Sequence, residues 1–204
     1  MEAGTNHPRR PRDGARMALG VACLLLALAG SAVTARRVLG AAEVVTAAVK
    51  TYPATAATPT PGVIGTLAAA PLIVDGRLRV YATTRQIKAD LPVDARTQRS
   101  PYWSYRRWPE QLVGVVAVRT TVVGRWSDGA LIAVDARTGT VAWRADGPVP
   151  ESPGYGGRRT GAATVYAPDG LFTAGDVVIA RGASEASAVR ATDGTVLWRR
   201  PVAG

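Results

Sequence analysis

The sequence is poor in the side chains that bind metal ions or form disulfide bonds. It contains one cysteine, Cys23, one histidine, His7, and one asparagine, Asn6, among 204 residues. A single cysteine cannot form an internal disulfide, and the usual zinc site of four Cys or His ligands cannot be assembled. The sequence therefore predicts no metal site, and it offers no catalytic or cofactor-binding residue.

Lysine is also scarce, although the chain is strongly basic. The formal net charge is +10, and Lys50 and Lys88 are the only lysines. Arginines carry the charge, and they are spread along the chain rather than gathered in one run. Nucleic-acid-binding proteins normally concentrate basic residues in an arm or a stripe. We therefore expect no nucleic-acid partner.

Charge is absent from one stretch, residues 17–35. As an α-helix this stretch would span about 28 Å, close to the ~30 Å hydrocarbon core of a bilayer. The polar, arginine-rich residues 1–16 predict a disordered cytoplasmic tail, and their charge predicts that the N-terminus stays inside. Residues 38–49 are rich in Ala and Val and able to extend the helix. We predict a transmembrane helix with its extension over residues 17–50.

A cleaved signal peptide is the alternative for this stretch. A signal peptide has a shorter apolar core and a small-x-small cleavage site, which residues 27–29 or 33–35 provide. Because the apolar run is long, we favour an uncleaved single-pass anchor in the cell membrane. In both interpretations the C-terminal domain is extracytoplasmic. Residues 51–62, with three prolines and no charge, predict a spacer that lifts this domain off the membrane.

Residues 63–204 have the pattern of short strands joined by tight turns. Residues 72–74 and 77–81 flank Asp75-Gly76, and residues 121–126 and 130–134 flank a Ser-Asp-Gly turn. Both arrangements predict β-hairpins. No helical periodicity is found beyond residue 50, so the predicted fold class is all-β and antiparallel.

A repeated unit organises this part of the chain. Asp-Ala-Arg-Thr-Gly-Thr-Val-Ala-Trp-Arg at 135–144 recurs as Arg-Ala-Thr-Asp-Gly-Thr-Val-Leu-Trp-Arg at 190–199, and a degenerate copy runs from Asp94 to Trp103. Trp143 and Trp198 are 55 residues apart, and Val122-Val123 precede Val177-Val178 by the same 55, which predicts one register for the whole unit. Four short strands in ~40–50 residues are typical of a propeller blade. We predict a partial β-propeller of about three blades, with a loop at residues 147–161.

The repeated residues are predicted to have a structural role. An aspartate and a threonine can bond backbone N–H groups across a turn, and glycine can supply the positive φ that closes it. The tryptophan that follows can present a large apolar face to the neighbouring unit. A metal or catalytic role for the aspartate is the alternative, but recurrence at matching positions favours turn capping. The residues of this structural repeat motif are Asp94, Thr97, Trp103, Asp135, Thr138, Gly139, Trp143, Asp193, Gly194 and Trp198.

The stretch from Leu131 to Gly139, followed by Trp143, resembles the tryptophan-docking repeat of quinoprotein-like (PQQ-type) β-propellers. The resemblance implies that each blade ends in this turn and tryptophan, and that the tryptophans lock blade to blade. Some members of the family are pyrroloquinoline-quinone dehydrogenases. Others, including membrane-anchored actinobacterial proteins, bind no cofactor. The first copy departs from the pattern because Gln98 replaces the glycine, and the third because Arg190 and Asp193 replace the aspartate and the threonine.

The dehydrogenases of this family have a calcium or lanthanide site, a catalytic aspartate and commonly an adjacent cysteine pair, for which this chain has one cysteine, Cys23. We therefore expect a non-enzymatic propeller without a cofactor, which binds another protein or acts as a scaffold. A dehydrogenase fragment, and a sensor or binder of anionic envelope polymers, are the alternatives. Closed propellers need about four to eight blades. Three blades indicate either a truncated product of a longer gene or a ring that a protein partner or a second copy completes.

Overall fold

The computed structural model describes residues 42–55, 71–91, 100–151, 168 and 170–202, together with Val21, Leu24, Gly30 and Ser31. The chain divides into two units, residues 1–40 and 41–204. The four described residues of the first unit are helical. Within the described part of the chain, no helix combines the length and the hydropathy that a membrane crossing requires. Most of the predicted anchor, with Cys23, and the tail at 1–16 lie outside the described residues.

The second unit consists of three antiparallel sheets in chain order. The first sheet has the strands β1 (Ala42–Thr46), β2 (Leu72–Val74), β3 (Leu78–Thr83), β4 (Gln86–Asp90) and β5 (Trp103–Trp108) in the order β1-β5-β4-β3-β2. The second sheet has β6 (Leu112–Val118), β7 (Thr121–Trp126), β8 (Ala130–Asp135) and β9 (Val141–Asp146). The third sheet has β10 (Leu171–Ala174), β11 (Val177–Arg181), β12 (Glu185–Arg190) and β13 (Val196–Pro201).

The three sheets pack face to face like successive propeller blades. The first strand of the second sheet, β6, contacts both β2 and β10, the corresponding strands of its neighbours. Residues of the first and second sheets share one buried core, which includes Val80, Trp103 and Ile132. Residues of the second and third sheets share another, which includes Val123, Trp143 and Val178. The predicted all-β fold and both predicted hairpins are confirmed, with Leu72–Val74 paired to β3 and β7 paired to β8.

The predicted helical extension is wrong at Ala42–Thr46. These residues form β1, which pairs with β5 from Ala42↔Trp108 to Thr46↔Ser104. The outer edge of the first sheet has unpaired backbone groups that a fifth strand satisfies, and this tertiary contact overrides the local helical preference. Residues 51–62 consequently connect β1 to β2 of the same sheet instead of preceding the domain as a spacer. Only residues 51–55 of this segment are described.

The predicted single register of the repeat is wrong in one of its strands. Val122 pairs with Val134, whereas the residue that pairs with Val189, 55 positions after Val134, is Val178 rather than Val177. The reason is the hairpin loop. Five residues separate the last paired positions of β7 and β8, Arg125 and Leu131, and four separate Arg181 and Ala186 in the third sheet. A shift by one residue moves each side chain of a strand to the other face.

Candidate functional site

The turn between the last two strands of each sheet carries the repeated motif. Oδ1 of Asp135 accepts a hydrogen bond from the Arg137 N–H at 2.8 Å, and the Thr138 hydroxyl accepts one from the Thr140 N–H at 3.3 Å. Gly139 closes the turn with a φ of 73°. A positive φ is readily adopted by glycine but strained for most other residues. The side chains of this turn are therefore engaged in holding its own backbone.

The equivalent turn of the third sheet reaches the same shape with different side chains. Asp193, at the position of Thr138, accepts a hydrogen bond from the Thr195 N–H at 2.9 Å and pairs with Arg190 at 3.0 Å. The backbone hydrogen bond to Asp193, followed by the Arg190 contact, lowers the pKa of this carboxyl. Gly194 has a φ of 75°. Asp94 and Thr97, the predicted turn residues of the first sheet, lie outside the described residues.

Each turn receives the tryptophan of the preceding sheet. Trp103 donates its indole N–H to the Ala136 carbonyl at 2.8 Å, and Trp143 donates to the Ala191 carbonyl at the same distance. The rings lie on the two glycines. A Cβ added at Gly139 would be 2.6 Å from Cγ of Trp103, and one at Gly194 would be 2.7 Å from Cδ2 and Cε3 of Trp143. A tryptophan, a carbonyl and a bare glycine thus form one docking unit, which occurs twice.

A buried arginine makes a second connection between the second and third sheets. Arg125 is 1% exposed, and its guanidinium donates to the carbonyls of Gly170 at 2.8 Å, Pro148 at 3.0 Å and Arg181 at 2.7 Å. Sequence reasoning did not identify this residue. Its structural counterpart is Arg181, 56 positions later, because both pair with equivalent residues of the next strand. The assumed 55-residue register hid this recurrence.

The β1 strand connects the first sheet to the second through Glu43. Its carboxylate pairs with Arg144 of β9 and lies 3.8 Å from Nε of Arg107. Burial, followed by the neighbouring Glu43 carboxylate, raises the pKa of Tyr105. The backbone beyond β1 continues this connection, since the Ala48 N–H donates to the Thr138 carbonyl at 2.8 Å. β1 therefore contacts both the sheet that it extends and the turn of the next one.

Arg107 and Asp128 form an ion pair between the first two sheets, with Nη2 and Oδ2 at 2.7 Å. Burial alone would raise the pKa of Asp128, but the hydrogen bonds from Arg107 and the Ala130 N–H hold it below the ordinary value. A carboxyl with a lowered pKa in the folded state contributes stability that is present above its unfolded pKa, ~4, and is lost as the pH falls through the folded value.

We expect Asp128→Asn to lower the free energy of unfolding at pH 7 by about 1 kcal/mol, the upper end for a half-exposed pair. The difference from the wild type should shrink as the pH falls below about 4, where Asp128 itself becomes protonated. Urea unfolding at a series of pH values measures both effects. Asp146→Asn removes the same charge from an exposed strand end, and an equal loss in that variant would contradict the role of the pair.

The third sheet has an exposed face, defined by Phe172, Ile179, Ala188 and Trp198, which we call the docking face. Phe172 pairs with Ile179, Ile179 with Ala188, and Ala188 with Trp198. Because side chains alternate along a strand, this row lies opposite Leu171, Val178 and Val189, which pack against the second sheet. Phe172 is 51% exposed, and Trp198 is half-buried with Arg200 5.5 Å from its ring centroid.

The corresponding rows of the other two sheets are covered. In the second sheet the row consists of Val116, Val123, Ala133 and Trp143, and each of these residues is at most 8% exposed because the third sheet packs on them. In the first sheet the row is Leu72, Val80, Ala89 and Trp103, covered by the second sheet. The docking face is thus the third member of a series whose first two members are interfaces.

The described residues do not fit a quinone cofactor held by a divalent cation. No three His, Cys, Asp or Glu side chains gather as metal ligands in the part of the chain that the structure describes. The carboxylates of Glu43, Asp75, Asp128 and Asp176 are each paired with an arginine. A small cavity of about 80 Å³ lies beside Arg125, Glu151 and Arg181. This volume is well below the roughly 300–1,000 Å³ of ordinary ligand pockets.

Two comparisons with known proteins gave matches. The family model described as outer membrane protein assembly factor BamB matches residues 93–204, more than half of the chain. Among solved structures, BamB from Moraxella catarrhalis is 20% identical with a TM-score of 0.44, and the match covers 66% of this chain and 34% of that one. For a europium-containing methanol dehydrogenase the values are 19%, 0.45, 66% and 24%.

A quinohemoprotein alcohol dehydrogenase from Pseudomonas putida HK5 is similar at 22% identity and a TM-score of 0.41, with 66% of this chain and 22% of that chain covered. The chain therefore spans about a third or less of the length of these solved structures. No protein of curated function matches it in sequence.

Proposed function

Because the chain belongs to the family of outer membrane protein assembly factor BamB, we propose that it is a non-enzymatic interaction module that binds another protein. The observation that carries the proposal is the docking face. An apolar row of a propeller blade is left partly exposed in the third sheet, whereas the equivalent rows of the first and second sheets are buried. An exposed apolar patch bordered by charged residues is typical of a protein-binding surface.

The location of this module is part of the proposal. Residues 17–35 carry no charge and are long enough to cross a bilayer, and the preceding arginines favour a cytoplasmic N-terminus. We place residues 42–204 on the extracytoplasmic side. β1 begins seven positions after Ala35, so that the tether is short. The first sheet then lies close to the membrane surface, because six residues reach at most about 20 Å.

Binding of anionic polymers finds less support in the arginines proposed for it. Arg107 is paired with Asp128 at 2.7 Å. Arg199 donates to the Asp146 carbonyl at 2.8 Å and lies 3.8 Å from Glu185. These two guanidinium groups hold sheets together, whereas Arg106 is exposed. Arg158 and Arg159 lie outside the described residues. A protein partner at the docking face is therefore the function that we favour.

A photo-crosslinking amino acid at position 172 tests the proposal in the cells that produce the protein. We expect a covalent adduct with one protein partner, recovered in the membrane fraction. The same amino acid at Thr83, an exposed residue of the first sheet, serves as the matched control and should give no such adduct. Ile179→Asp should abolish the adduct at position 172, because it puts a charge in the centre of the docking face.

Two results of this experiment would contradict the proposal. One is the absence of any adduct at position 172. The other is an adduct pattern that is the same at Thr83 or insensitive to Ile179→Asp, since such a pattern would report proximity in the envelope rather than binding at this face.

A further inference from the structure

The docking face differs from an ordinary apolar patch because the chain contains two solved examples of what covers it. In each example, a tryptophan donates its indole N–H to the carbonyl of an alanine, Ala136 or Ala191, in the turn of the next sheet. The ring lies on the glycine three positions later in that turn, Gly139 or Gly194. Trp198 is the same residue at the same position of the third sheet.

The receiving side of an interface has requirements of its own. The second sheet presents Val122 and Val134 to the first, and the third sheet presents Val178 and Val189 to the second. Beside them stands a small residue. A Cβ on Gly124 would lie 2.6 Å from Cδ1 of Ile87 in the sheet that it receives, and Ala180 holds the equivalent position in the third sheet. A receiving blade therefore needs valines, a small residue and a turn glycine.

The first sheet does not meet these requirements. Arg79 pairs with Asp90 where the receiving sheets have their valine pairs, and Tyr81 stands at the position of Gly124. Arg79 donates to the Tyr81 hydroxyl at 3.0 Å, and Lys88 Nζ lies 5.4 Å from the Tyr81 ring centroid. In the sequence, Gln98 replaces the turn glycine. A polar outer face of this kind is characteristic of a terminal repeat.

A second copy of the chain is therefore a poor occupant of the docking face. Its first sheet has a charged receiving face, and the receiving faces of its second and third sheets are already covered from within the same chain. The remaining occupant is a blade that residues 1–204 do not contain.

From this geometry we infer that the docking face binds one further blade of the same repeat, supplied by a segment other than residues 1–204, with alanine and glycine in its turn to receive Trp198. The inference rests on the proposed interaction function and specifies the partner. It predicts a partner with the sequence pattern Ala-x-x-Gly before a tryptophan strand, and with valines on the face that meets Phe172 and Ile179.

The test supplies such a blade to the full chain. Residues 109–204 are repeated directly after Ala203, so that a second copy of the second sheet, with its own Gly139 turn, follows Trp198. 5-Fluorotryptophan labelling and ¹⁹F NMR, assigned with single Trp→Phe variants, then measure the solvent-induced shift of each tryptophan between H₂O and D₂O. We expect the shift of Trp198, present in the parent chain, to fall to that of Trp143.

The matched control is the same fusion with Gly139→Gln in the appended copy only. This variant reproduces the turn of the first sheet, and Trp198 should remain solvent-accessible in it. A second fusion, in which residues 147–204 are repeated after Pro201, offers the Gly194 turn and guards against misfolding of the first. Trp198 that stays solvent-accessible in both fusions would overturn the inference, as would equal protection in the Gln control.

Self-association of the parent chain decides against a second copy or for it. We expect a monomer with an accessible Trp198 by sedimentation and ¹⁹F NMR. A dimer in which Trp198 is protected would overturn the inference. Adducts at position 172 from a protein without this repeat would also overturn it while leaving the proposed function intact. Docking in the fusions without any adduct in cells would overturn the proposed function alone.

Discussion

Replacement of Trp103 by alanine should lower the free energy of unfolding by about 3–5 kcal/mol, the range for a large aromatic side chain removed from a core. Trp103 is fully buried, and its ring fills the space above Gly139. The substitution leaves a cavity between the first two sheets. It also leaves the Ala136 carbonyl without the indole N–H that it accepts at 2.8 Å.

Trp198→Ala is the matched control, because it deletes the same side chain from the equivalent position of a sheet whose face is not covered. We expect a loss of about 1 kcal/mol or less, typical of a partly exposed residue. Urea unfolding gives both values. Trp103→Phe should lie between them, since it keeps an aromatic ring and loses mainly the hydrogen bond. Equal losses for Trp103→Ala and Trp198→Ala would show that docking on the turn glycine does not stabilise the interface.

Replacement of Arg125 by methionine should cost about 3–5 kcal/mol, although methionine is apolar and similar in length. The guanidinium donates to three backbone carbonyls, of Gly170, Pro148 and Arg181. A hydrogen bond to a charged group contributes about 1.5–3 kcal/mol, and a buried acceptor that loses its donor keeps the cost of its own desolvation. The loss falls on the interface between the second and third sheets.

Arg181→Met provides the comparison for this substitution. Arg181 holds the equivalent position of the third sheet and is exposed. The change should therefore alter stability by less than about 0.5 kcal/mol. Protection of the third sheet against amide hydrogen exchange should fall in Arg125→Met and stay unchanged in Arg181→Met. A small effect at Arg125 would mean that water replaces the guanidinium at the three carbonyls.

The features of the fold that depend on local sequence could be predicted. The Asp75-Gly76 turn and the strands around Ser127–Gly129 carry their own turn residues and alternation, so that both hairpins followed from the pattern. Recurrence of tryptophan after the Thr-Gly turn predicted the blades. Nothing in Ala42–Thr46 announces a strand, because its partner β5 is more than 50 residues away in sequence. A short apolar run cannot be distinguished from a helix by periodicity alone.

The candidate site was less accessible to sequence reasoning, since it depends on register. An assumed constant spacing set Arg125 beside Ala180, whereas the pairing places it beside Arg181. A loop that is one residue shorter is invisible without the partners of each strand. For the same reason the contrast between Val122 and Arg79 as equivalent residues emerges only from the pairing of three sheets. Each of these errors concerns position along a strand rather than the existence of the strand.

The position of β1 sets the order in which a ribosome can deliver this domain in finished form. Residues 42–46 are synthesised before the rest of the first sheet, yet their partners at 104–108 come last. The Glu43 contact with Arg144 requires the outer strand of the second sheet as well. The earliest part of the domain therefore waits with one edge unpaired until about a hundred residues have followed it. The first two sheets reach their final form together, and the third is added to a completed pair.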